Sequence, residues 1–139
     1  MKNNKRIRSQ RGQGLVEGAV ACCMIFSSGI AATLLLLNSG TTMFFKDKLS
    51  HCTHLATQFA AAHQGDDGLQ SETSEFVKEI MPQMGLQANG LQVTVKPVAI
   101  NATSGVQVTV TNSFPVFGGV RFLPTEVAIS DSECHIWSF

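Results

Sequence analysis

GAVACCMIFSSGIAATLLLLNSGTTMFF, residues 18–45, carries no charged side chain, and residues 30–37 within it are almost purely aliphatic. A helix needs about 20 predominantly apolar residues to cross the roughly 30 Å hydrocarbon layer of a bilayer. This run is longer, and it also exceeds the roughly 7–15 residues of an ordinary secretory signal's apolar core. A chain of 139 residues has too little mass to bury such a helix on all sides. The run therefore predicts a single membrane span.

Charge gives the direction. Lys2, Lys5, Arg6, Arg8 and Arg11 all precede Glu17, the first of the ten carboxylates, whereas only Lys46 and Lys48 lie close beyond the run. A cationic flank stays on the cytoplasmic side, which predicts a cytoplasmic N-terminus and a C-terminal part outside the inner membrane. The formal net charge is zero, but past the leader the balance is acidic: Lys46, Lys48, Lys78, Lys96 and Arg121 against ten acids. That balance excludes nucleic acid as a partner, because binding phosphates needs a basic surface.

Outward from the run, Leu49, Cys52, Ala56, Phe59 and Ala60 recur at spacings of three and four, which predicts an amphipathic helical stem. Gln64-Gly65-Asp66-Asp67-Gly68 favours a turn that ends it. A second short helix follows, with Ser71 as N-cap, Glu72 and Glu75 near its positive end, and Phe76, Val77, Ile80, Met81 and Met84 as its apolar face. Pro82 and Gly85 close it. Beyond Asn89-Gly90 the period becomes two. Leu91, Val93 and Val95, then Val106, Val108 and Val110, predict two half-buried strands joined by a loop over residues 99–105. A third strand is expected within 125–129, with 120–123 a further candidate. The fold class is α+β: a long N-terminal transmembrane helix with an amphipathic extension, a short second helix and a small antiparallel sheet at the C-terminus. Its divisions are a basic leader (1–12), a transmembrane helix (13–45), a helical stem (46–64) and an extracytoplasmic domain (65–139).

Of the four cysteines, Cys22 and Cys23 fall in the span, where a thiol is a small apolar group. Cys52 and Cys134 lie outside it, in a compartment that permits oxidation. They form one potential disulfide, worth about 4 kcal/mol in loop-closure entropy; two independent thiols are the alternative.

The junction Arg11-Gly12-Gln13-Gly14-Leu15-Val16-Glu17-Gly18 is the most informative segment. A glycine ends the basic leader and a glutamate stands five residues later, just inside the apolar run. This resembles the processing site of type IV-related prepilins. The wider layout is similar to the TadE-like minor pilins, or pseudopilins, of tight-adherence systems. The resemblance is specific over residues 11–45 and architectural beyond. It implies cleavage by a membrane prepilin peptidase between Gly12 and Gln13, with Glu17 as the fifth residue of the mature chain. It implies no enzymatic activity and no cofactor. The partners it implies are other pilin subunits, the peptidase, the inner membrane and the pilus assembly machinery. Two residues depart from the family's pattern: Gly18 follows the glutamate where Phe is common, and Gln13 replaces a small residue. A carboxylate at the hydrocarbon centre costs about 2.5–3.5 kcal/mol on insertion scales, so Glu17 needs a partner, and the amine freed at Gln13 would supply one.

Gly14, Gly18 and Cys22 fall four apart on one face, a small-residue pattern that lets membrane helices approach closely. His51, Cys52 and His54 would suit zinc, but the only further ligand pair is the distant Cys134-His135, so no metal site is expected. Ala19-Val20-Ala21-Cys22 is a poor lipoprotein site because the apolar run continues past it. No catalytic set of residues stands out, and Asn101-Ala102-Thr103 has no meaning as a glycosylation acceptor in a bacterial envelope. The rival readings are an uncleaved anchored protein whose outer domain binds a partner, and a metal-dependent envelope enzyme.

Overall fold

The computed structural model describes residues 4–65, 67–100, 103–116 and 126–136. The fold is α+β, in the element order α1 (Asn4–Ala62), α2 (Leu69–Gln83), β1 (Gln92–Ile100), β2 (Thr103–Pro115) and β3 (Glu126–Ile136). The chain divides into two compact units, Met1–Asn38 and Ser39–Phe139. The further strand expected at 120–123 and the residues of the Asn101-Ala102 dipeptide lie outside the described residues.

In the first unit the described residues are helical, and the apolar stretch begins at Gln13. Among the described residues α1 is the one helix long and apolar enough to cross a membrane. Leu15, Phe26 and Leu36 are 77%, 72% and 74% exposed, so this segment builds no core of its own. Its hydroxyls do not hinder burial in lipid. Ser27 Oγ donates to Cys23 O (2.8 Å), Ser28 Oγ to Ile25 O (3.0 Å) and Thr33 Oγ1 to Gly29 O (2.9 Å). A membrane interior offers no water to satisfy such groups, and the helix's own carbonyls do so instead.

In the second unit the predicted stem stripe is the core side of α1 except at Phe59, which is partly buried and stacks on Phe76 of α2 with ring centroids 4.3 Å apart. Leu49, Cys52, Ala56 and Ala60 are fully buried, with Thr53 and Thr57 beside them. Both threonines donate back to the carbonyl four residues earlier, Thr53 to Leu49 and Thr57 to Thr53. The side chains at 52, 56 and 60 on this face are small. From the other elements, Val77 and Met81 of α2, Val93 of β1, Val106, Val108, Val110 and Phe114 of β2, and Ile129 of β3 complete one apolar cluster. Burial of this kind contributes about 25 cal/mol for each Å² of apolar surface removed from water.

Helix α2 starts earlier than the sequence reading. Its N-cap is Gly68, and Ser71 lies inside the first turn with its hydroxyl donating to Gly68 O at 2.8 Å. Leu69 packs against the core, and that contact draws the first turn forward. At the far end Pro82 lies inside the helix instead of closing it, and Gly85 closes it as expected. Gly85 has φ +71, the Leu86 N–H reaches Met81 O (2.9 Å) and the Gly85 N–H reaches Pro82 O (3.0 Å). This is a Schellman closure, in which glycine adopts the left-handed conformation that other residues resist. Lys48 Nζ also donates to the Met84 carbonyl, where the helix dipole favours a cation.

The sheet is antiparallel in the order β1-β2-β3. Its strands are longer than the period-two runs suggested. β1 continues through Pro97 to Ile100, so most of the loop expected over 99–105 is strand, with Ile100 opposite Thr103. β3 extends to Ile136 instead of ending near 129. On the outer face Thr111 bonds Ser130 (3.0 Å), and Thr109 and Gln107 bond Ser132 (2.9 and 3.0 Å). These cross-strand pairs hold a strand whose own side chains are mostly polar. Gly105 is required where β2 meets β3, because a Cβ there would sit 2.5 Å from the His135 carbonyl oxygen.

Candidate functional site

The junction singled out by sequence lies within α1, which runs unbroken through Gly12 and Gln13. Glu17 follows Gln13 by four residues, one helical turn and about 6 Å of rise, so the two share a face. Glu17 is exposed. A chain beginning at Gln13 would carry its ammonium at the positive end of the helix dipole, with the Glu17 carboxylate one turn inside. An anion in the first turn offsets that positive end. Gly12 and Gly14 flank Gln13, and each is about 1 kcal/mol less favourable in a helix than alanine. Helix propensity is therefore low around the 12–13 peptide bond.

The small-residue face is open. A Cβ added at Gly14 or Gly18 would meet nothing within 4 Å, and Cys22 is exposed. The sequence reading missed Gly29. It forms the floor of a groove of about 340 Å³ walled by Ile25, Phe26, Ile30, Thr33 and Leu34. Gly29 follows Cys22 by seven residues, which is about 20° short of two full turns, so it extends the same face. That spacing was the available signal.

A second concavity lies in the outer unit, between the stem and β3. It has a volume of about 480 Å³ and is lined by Asp47, Ser50, His51, His54, Asp131, Ser132 and Glu133. His54 Nδ1 is 2.6 Å from Glu133 Oε1, and Gln58 Nε2 is 2.9 Å from His54 Nε2. With the amide donating to Nε2, the imidazole proton sits on Nδ1 and points at the carboxylate. The pair is half exposed, and such contacts contribute about 0–1 kcal/mol. His51, Cys52 and His54 do not converge. Cys52 is fully buried against the core while both histidines face the open groove. Burial pushes the Cys52 thiol up to about 11, away from the thiolate a metal needs. Among the described residues no three His, Cys, Asp or Glu side chains are grouped to hold a metal ion.

The expected Cys52–Cys134 bridge is corrected by the structure, in which both thiols are free. The reason is the pleat. Ile129, Asp131 and Glu133 turn toward the stem, so Ser130, Ser132 and Cys134 turn to the opposite face of the sheet. Cys134 is exposed there, with β3 itself between it and buried Cys52. A shift of one residue in either direction would have brought the thiol to the stem side.

Sequence reasoning also missed Gln70. Its carboxamide Nε2 donates to Val93 O (2.7 Å) and its Oε1 accepts from the Val95 N–H (2.8 Å), so one side chain closes the outer edge of β1. Nothing local marks a helical glutamine for that task. No protein-family model, characterised protein or solved structure matches the chain.

Proposed function

We propose that this chain is a minor pilin-like subunit, a TadE-like pseudopilin, processed by a prepilin peptidase and assembled into a tight-adherence-type pilus or pseudopilus. The observation that carries the reading is the linear array at the head of α1: a cationic leader, Gly12, and Glu17 five residues on, opening an apolar helix long enough for a membrane. In this reading the N-terminus is cytoplasmic, the α+β unit is periplasmic, and the leader holds the precursor in place until cleavage. Cleavage after Gly12 makes a new amine at Gln13. That amine and Glu17, on the same or a neighbouring subunit, neutralise each other as the helices pack in the filament. The pair removes the cost of an isolated acid among apolar side chains. Gly14, Gly18 and Gly29 let those helices approach.

The test is expression of the full chain with and without an active prepilin peptidase, followed by intact mass and N-terminal sequencing. A mature chain starting at Gln13, seen only with the peptidase, supports the proposal; a chain that keeps residues 1–12 in its presence ends it. One observation favours a second reading. Because α1 passes through Gly12 without a break, an uncleaved anchor carrying a protein-binding outer domain fits the same helix, and the sequencing result separates the two.

A further inference from the structure

We infer that the free edge of β3 accepts an extended strand from a partner protein, one that carries basic side chains at alternate positions. The inference concerns the outer unit alone and holds whether or not the leader is removed.

The two edges of the sheet differ. Val93 O and Val95 N point outward from β1, since Gln70 bonds them there. In an antiparallel ladder the outward and paired residues alternate, so residue 97 is the next outward position, and it is a proline with no N–H to offer. Lys96 adds a charge beside it. That edge is closed by devices that stop strand addition.

The alternation carries across to β3. Even-numbered β1 residues pair with odd-numbered β2 residues, which leaves the even β2 residues for odd-numbered β3 residues. The main-chain groups of Ala128, Ser130, Ser132 and Cys134 therefore point away from the sheet, and among the described residues none of these groups has a hydrogen-bond partner. Their side chains are small and uncharged, and no proline or bulge interrupts the run. An edge strand of this length that no other described residue covers is a template for another strand.

The groove identifies the occupant. A fourth strand beside β3 would send every second side chain toward the stem, over the space lined by Asp47, His51, His54, Asp131 and Glu133. Three carboxylates there favour Lys or Arg at those positions. A second copy of this chain does not fit. Its β3 would bring its own Asp131 and Glu133 to the same side of the sheet. Its β1 edge is closed by Gln70 and Pro97. The partner is another protein's basic, extended segment.

The test uses the full chain in a non-ionic detergent, at roughly 0.15 M salt so that long-range attraction is screened. The probe is a fluorescent nine-residue peptide alternating Lys with Thr or Val, read by anisotropy. Saturable binding is expected, with at least tenfold weaker binding when Glu replaces Lys. Two N-methylated peptides isolate strand pairing from charge. Methylation at one alternate set of amides blocks the bonds to β3, while methylation at the other faces solvent. The first should bind at least tenfold more weakly than the second. In the protein, Ser132→Pro removes an outward N–H without removing a ladder bond, and D131N/E133Q removes two of the groove's three carboxylate charges; each should weaken binding at least tenfold. No saturable binding of the lysine peptide, or equal binding of both methylated peptides, overturns the inference.

Discussion

Phe45 of α1 stacks on Phe114 of β2, with ring centroids 4.4 Å apart and planes 12° from parallel. By sequence alone Phe45 is the last residue of the apolar run. In the fold it is partly buried against the core of the outer unit. Its hydrophobicity thus serves the domain. Phe114→Ala removes a ring that is 2% exposed and should cost about 3–5 kcal/mol. Phe45→Ala should cost about half as much, because that ring is only partly buried. Denaturant melts of the full chain followed by circular dichroism give both values. Equal, small effects would show that the stack is not part of the core.

The two outer cysteines should behave as separate thiols. A maleimide added to the native protein should label Cys134 quickly and Cys52 only after unfolding, and non-reducing mass analysis should find no bond between them. A pH effect follows from burial, which raises the Cys52 thiol from 9.0 to about 11. The folded state holds this proton more tightly than the unfolded state. The contribution to stability is therefore fully present below pH 9.0 and is lost as pH rises through about 11. Cys52→Ala should flatten that alkaline loss, and an unchanged slope would assign it to other groups.

Gln70→Ala should open the outer edge of β1. The Val95 amide loses its acceptor, a bond worth about 1 kcal/mol, so its hydrogen exchange should quicken by roughly fivefold while amides paired to β2 stay protected. The variant should also self-associate more readily, because a second unprotected edge then faces solvent. Exchange at Val95 that matches the parent protein would mean the edge is closed by something else.

Some of this was legible in sequence because it is linear. The stem stripe at 49, 52, 56 and 60 shows itself through the period of a helix, and the array from Arg11 to Glu17 needs only counting. β3 extends beyond the strand expected from sequence because Ser130-Asp131-Ser132-Glu133 has no apolar alternation. Its strand depends on Thr109, Thr111 and His54, residues 19 to 79 positions away in the chain. The pleat that separates Cys134 from Cys52 was hidden for the same reason, since an unseen strand has no register. Gln70 and the carboxylate groove exist only after distant elements meet.

Gly105→Ala tests the close approach of β2 to β3. The added methyl would lie 2.5 Å from a backbone oxygen that cannot swing aside, so the strands must part at that end. Overpacking of this kind costs about 1–3 kcal/mol. Ser104→Ala, at an exposed neighbouring position, should change little. Thermal melts distinguish the pair, and similar midpoints would mean that the end of β3 yields without loss.

Two substitutions at the head of α1 separate processing from assembly. Gly12→Val adds a branched side chain beside the bond to be cut, so a peptidase that needs a close backbone approach should leave the leader attached. Glu17→Gln keeps size and hydrogen bonding but removes the charge, so cleavage should proceed while the freed amine at Gln13 loses its ionic partner. In the membrane that amine is the group left uncompensated, and assembled subunits should fall at least tenfold in sheared-filament or crosslinked fractions, a change of about 1.4 kcal/mol or more in packing. Glu17→Asp, with charge retained but reach shortened, should recover part of the loss. If Glu17→Gln assembles as the parent does, the acid has another purpose, and the spacing between Gly12 and Glu17 no longer argues for a filament.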